Sequence, residues 1–95
     1  MKISRIIWLH EYVNKIEIKH GVYRNEIREV ILSNPRIRRV GKGKRHKGED
    51  LYTASGQTQT GRYLIVFFIH KAGDEVLIIS ARDMDNKERR QYGRK

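Results

Sequence analysis

Residues 61–83, GRYLIVFFIHKAGDEVLIISARD, hold most of the strongly apolar side chains of this 95-residue chain and read as one β-hairpin. Tyr63 to Ile69 is an unbroken apolar run, too short to cross a bilayer and rich in the aromatic and β-branched types that suit a central strand. Val76 to Ala81 repeats that signature, interrupted by Ser80 alone. Between them Lys71-Ala72-Gly73 predicts a three-residue loop, with Gly73 in the left-handed conformation. That loop would pair His70 with Asp74, Phe68 with Val76, Val66 with Ile78, Leu64 with Ser80 and Arg62 with Arg82. Two guanidiniums would then stand face to face on one side of the sheet, which calls for an anion between them. On spacing alone, two arginines fanning into water at strand ends is the simpler reading.

Working outward, Ile3 to Leu9 reads as a first strand. From His10 the period lengthens, and Leu9, Tyr12, Val13, Ile16 and His20 form one helical stripe that Gly21 ends. A second helix follows, with Val22 and Ile27 as a hydrophobic staple, Glu26 reaching back to a free amide, and Asn34-Pro35 as its stop. Arg36 to Val40 reads as a short strand, Gly41 to Gly48 as a loop, and Glu49 to Thr58 as the strand that enters the hairpin through Thr60-Gly61. Asp85-Asn86-Lys87-Glu88 is an N-cap with an acid three residues on, opening a short last helix that carries Arg89, Arg90 and Tyr92. The order predicts an α+β fold in one domain spanning 1–95: a small antiparallel β-meander, two N-terminal helices packed on one face, and a short C-terminal helix.

Lys and Arg number 21 against 11 acids, a formal charge of +10 and a pI near 10.2. Such a balance points to a polyanionic or acidic partner, nucleic acid first and an acidic protein second. Arg36 to Lys47, RIRRVGKGKRHK, holds seven Lys or Arg and no acid, and is expected to dominate RNA affinity through Arg36, Arg38, Arg39, Lys42, Lys44, Arg45 and Lys47. Its glycines make no G-x-x-x-x-G-K-[ST] phosphate loop. The absence of cysteine excludes disulfides and thiolate metal sites, and His10, His20, His46 and His70 show no ligand spacing, so no metal or other cofactor is expected. Met1 to His10 lacks the apolar core of a signal peptide, so the expectation is a cytoplasmic protein with no membrane attachment.

Several pieces occur in a fixed order: Trp8, then Lys19-His20-Gly21-Val22, Glu26 and Glu29, Gly56-Gln57-Thr58, Gly61-Arg62-Tyr63-Leu64, Ile79-Ser80-Ala81-Arg82-Asp83-Met84, and Glu88-Arg89 with Tyr92. Together they resemble the BrnT family, the toxin half of bacterial type II toxin-antitoxin pairs, over nearly the whole chain. Leu9 stands where many relatives carry Asp, and Tyr23 where they carry a Ser or Thr cap. The resemblance implies a compact fold related to the RelE-type toxins, a ribonuclease activity that stops growth by cleaving RNA, and a BrnA-like antitoxin as the cognate partner.

RNA cleaves itself without a metal if a protein aligns the 2′-hydroxyl with its phosphate, moves two protons and stabilises the added charge. Arg62 and Arg82 match family positions and are the candidates for holding the scissile phosphate, because a guanidinium offers forked donors. Lys19 would add a third cation. His20 is the first choice for proton transfer, as the side-chain type suited to that task, although its place on the apolar stripe reads equally as a helix-capping histidine. Glu29, like Glu26, could serve as a base or simply solvate a helix. His70 is accounted for by Asp74. Tyr63 and Trp8 could stack a base or fill the core. The competing readings are a non-catalytic RNA- or DNA-binding module and a subunit that only receives an antitoxin.

Overall fold

The computed structural model describes residues 1–42 and 49–94. In chain order they form β1 (Arg5–Ile7), α1 (His10–His20), α2 (Arg24–Leu32), β2 (Arg36–Lys42), β3 (Asp50–Gln57), β4 (Tyr63–Lys71), β5 (Glu75–Asp83) and α3 (Asn86–Gly93). The sheet runs β1-β5-β4-β3-β2. β2 to β5 are the expected antiparallel meander, but β1 joins beside β5 in parallel, so the sheet is mixed. β1 is also shorter than Ile3 to Leu9. Ser4 leaves the ladder to tie the hairpin loop, its amide donating to Asp74 O and its hydroxyl to Gly73 O, while Leu9 already accepts the first amides of α1.

The helices begin and end where local chemistry demands. α1 stops at Gly21, whose φ of 61° lies in the left-handed region that glycine enters without strain. α2 opens with the Tyr23 amide donating to Glu26 Oε1 at 3.0 Å. Val13 and Ile16 of α1 and Ile27, Val30 and Ile31 of α2 turn inward onto Ala54, Leu64, Val66, Phe68, Val76, Ile78 and Ala81, all of them buried. Gly56 lets α2 approach β3, since a Cβ there would stand 3.2 Å from Val30 Cγ1.

The hairpin register differs from expectation in two ways. The loop has three residues but is Ala72–Asp74, because Asp74 (φ 60°) as well as Gly73 (φ 77°) takes the left-handed conformation and Lys71 stays in β4, opposite Glu75. That slip alone would leave Arg62 and Arg82 on one face. A β-bulge then changes the parity: Phe68 opposes Ile78 but Phe67 opposes Ser80, leaving Ile79 as the extra residue. Ala81 therefore faces the helices and Arg82 turns to the other side, opposite Ile65 rather than Arg62. β2 also runs two residues further than Val40, through a bulge at that residue.

Candidate functional site

α1 and α2 cover one face of the sheet. The other is floored by Thr53 and Ser55 of β3 and Ile65 of β4, and among the described residues it is α3 that lies across it. Arg62 and Arg82 sit on opposite faces, so the expected shared pocket for one phosphate does not exist.

On the helical side Arg62 is fully engaged. Its Nε donates to Asp83 Oδ1 (2.7 Å) and its Nη2 to Asp83 Oδ2 (3.0 Å) and to His20 O (3.2 Å). Its Nη1 donates to Gly21 O (2.9 Å) and to Glu26 Oε1 and Oε2 (3.1 and 3.2 Å). All five N–H groups of the guanidinium are used, two of them on carbonyls that the end of α1 leaves without helical partners. The guanidinium's pKa is raised, chiefly by the Asp83 hydrogen bond. Arg62 is a clamp that joins the α1–α2 corner to the end of β5, with nothing left for a phosphate. His20 lies at this corner and Lys19 is exposed beside it. Glu29 is spent on the neighbouring loop, accepting from the Gln59 amide at 2.9 Å.

On the open side Arg82 is gripped by one carboxylate: Nη1 donates to Glu88 Oε1 (2.7 Å) and Nη2 to Glu88 Oε2 (2.9 Å), with Nη1 also reaching Asp83 O. Its Nε–H and one Nη2–H have no partner among the described residues, and the guanidinium lies 5.5 Å from the Phe67 ring centroid. Glu88 owes its position to the predicted capping box, Glu88 N donating to Asp85 Oδ1 and Asp85 N to Glu88 Oε1. Arg36 secures the far end of α3, donating to Gln91 O (2.5 Å), which also accepts the Arg94 amide, and to Arg94 O (2.6 Å). Arg36, Glu88 and Gln91 line a cleft of 420 Å³, with Arg38 on the β2 wall and Tyr92 and Arg94 on the α3 wall, and Arg82 stands behind Glu88.

Of the cations expected to bind RNA, Arg36 and Arg38 reach this cleft. Arg39 points the other way and pairs with Asp50 at 3.1 Å. Lys42 closes β2, and Lys44, Arg45 and Lys47 lie outside the described residues. Thr53, Ser55 and Arg94 carry no signal in the sequence, while Tyr92 and Glu88 belong to the family-like pieces, Glu88 also as a cap, with nothing there to place them in a cleft. His70 opposes Val76 rather than Asp74, and its buried Nε2, 3.6 Å from Asp74 Oδ1, has no hydrogen-bond partner among the described residues, so Asp74 accounts for it only in part. Among the described residues no three His, Asp or Glu side chains are grouped so as to hold a metal ion, and no helix is long and apolar enough to cross a membrane.

The two carboxylates set an acid limit on stability. Asp83 is held below its ordinary 3.8, first by the Arg62 hydrogen bond, against the cost of burial, and then by the charges of Arg62 and His20. Glu88 is held below 4.5, first by Arg82, again against burial, and then by the Asp85 amide. Both pKa values are depressed on folding, so the stabilisation is complete above the ordinary values and is lost as pH falls through the folded ones. The thermal midpoint should therefore drop below about pH 4, less steeply in Asp83→Asn and Glu88→Gln. Parallel pH profiles would remove these pairs from the account.

Residues 11–88 match a family model described as "Ribonuclease toxin, BrnT, of type II toxin-antitoxin system". No curated protein matches the chain. The 1.1 Å crystal structure of the Brucella abortus ribonuclease toxin BrnT is similar in fold, with a TM-score of 0.62 at 16% identity, covering 90% of this chain and 100% of that one.

Proposed function

The chain belongs to the BrnT family of ribonuclease toxins of type II toxin-antitoxin systems, which gives it an endoribonuclease activity and an antitoxin as partner, and from that premise we propose that it cleaves RNA without a metal on the open face of its sheet. The observation that carries the reading is Arg82, held by Glu88, a wall residue of the cleft that presents Arg38 and Arg94, with two N–H donors unpartnered among the described residues. The strand lies across β3 and β4, its flanking phosphates near Arg38 and Arg94. Arg82 donates to the non-bridging oxygens of the scissile phosphate, where charge grows as the 2′-oxygen attacks.

The 2′-O–P bond forms and the P–O5′ bond breaks, leaving a 2′,3′-cyclic phosphate and a 5′-hydroxyl. The proton of the 2′-hydroxyl passes to water, and the Tyr92 phenol supplies one to the departing 5′-oxygen. Glu88, already committed to Arg82 and to the Asp85 amide, acts as a positioning residue. The test is incubation of RNA with the purified chain in excess EDTA, with analysis of the fragment ends. Fragments ending in cyclic phosphate and 5′-hydroxyl are expected. Activity that disappears with chelation and returns with a divalent ion, or fragments with 3′-hydroxyl and 5′-phosphate ends, would overturn the reading.

A further inference from the structure

Beside the cleft, and separated from it by Tyr92, lies a second hollow of 660 Å³ between the start of β4 and α3. Its walls are unusual for a surface depression: two aromatic rings, two guanidiniums and two carboxamides, from Tyr63, Tyr92, Arg89, Arg90, Gln57 and Asn86. Tyr63 shares the open face with Ile65, and Tyr92 meets it edge-on, with centroids 6.1 Å apart at 75°. Arg89 lies 4.4 Å from the Tyr63 ring centroid, yet is itself exposed. A guanidinium held on an aromatic ring is a flat, charged platform on which a further π-system can stack.

We propose that this hollow is the subsite for the nucleobase next to the scissile phosphate, and that it selects adenine. The base stacks on the Arg89 plane supported by Tyr63. Its edge meets Gln57 and Asn86, the side-chain type whose paired acceptor and donor match N6–H2 and N7 of adenine. One Gln57 Nε2–H is fixed on Gly61 O at 3.1 Å, which holds the amide in place and leaves Oε1 to accept from an exocyclic amino group. Asn86, the first residue of α3, has no side-chain partner among the described residues. The volume suits a base with its sugar, and Tyr92, as the shared wall, puts the phosphate of that nucleotide in the neighbouring cleft. The inference rests on the open face being the RNA surface, and it adds a base preference that phosphate contacts alone cannot supply.

The experiment uses a short 2′-O-methyl oligonucleotide, which cannot be cleaved, carrying 2-aminopurine, which lacks the 6-amino group and so reports stacking alone, while competition by A- and U-containing oligonucleotides reads the edge contacts. Binding to the full chain should quench the fluorescence. Arg89→Lys keeps the charge but removes the plane, so affinity should fall by about tenfold and the quench should vanish, within the range by which losing one base stack weakens binding. Asn86→Ala should narrow the gap between A- and U-containing oligonucleotides while the quench persists. An unquenched complex with the wild-type chain, or identical binding by Arg89→Lys, would overturn the subsite. Cleavage in EDTA is scored separately: cleavage without quenching sinks the subsite alone, and quenching without cleavage sinks the catalytic reading alone.

Discussion

Arg62→Ala should lower the thermal midpoint by about 15 °C, the loss expected for roughly 3 kcal/mol in a chain of this size. The expectation follows from geometry rather than from the charge alone. Removing this side chain strands Glu26, whose side chain is only 17% exposed, together with the Asp83 carboxylate and the carbonyls of His20 and Gly21. Each loses a charge-assisted hydrogen bond; Asp83, 59% exposed, can turn to water, whereas Glu26 and the corner carbonyls have little to replace it. Arg62→Lys should recover only part of the loss, because one ammonium cannot serve two carboxylates and two carbonyls in a planar fork. Sequence spacing suggests the reverse result, a protein relieved of repulsion between two arginines. A midpoint within about 3 °C of wild type would restore that view and dismiss the clamp.

What made the corner readable in part was local chemistry. Gly21 as a helix stop, Glu26 as a partner for its own helix start and Asp85 with Glu88 as a capping box all depend on neighbours in sequence, and all appear in the structure. The long-range consequences were harder to see, because Glu26 and Glu88 each serve a cap and an arginine far away in the chain. The parity of Arg82 did leave a trace. Val76 and Ile78 alternate inward, and unbroken alternation would bury Ser80 and Arg82 while exposing Ala81. A bulge at Ile79 resolves that conflict by bringing Ala81 to the core. Ser80 on the inward side is therefore the sequence sign that Arg62 and Arg82 do not share one phosphate. The parallel pairing of β1 had no such signal, since three residues carry no pattern that distinguishes one direction from the other.

The division of the sheet into a structural face and a reactive face is tested most directly by single-turnover cleavage with Arg82→Ala and His20→Gln, each at a concentration corrected for folded protein. Arg82 stands against the cleft residue Glu88 with two donors unpartnered among the described residues, and removing a donor aimed at developing phosphate charge costs about 10²- to 10³-fold in rate. Because Glu88 is partly exposed and keeps the Asp85 amide as a partner, Arg82→Ala should remain folded. His20 lies at the corner held by Arg62, behind the sheet, so His20→Gln should stay within about threefold of wild type, far from the 10²-fold or greater loss of a proton-transfer group. The account predicts a large loss for Arg82→Ala and a small one for His20→Gln. The opposite ranking in two folded proteins would contradict it and move the reaction to the corner between α1 and the end of β5.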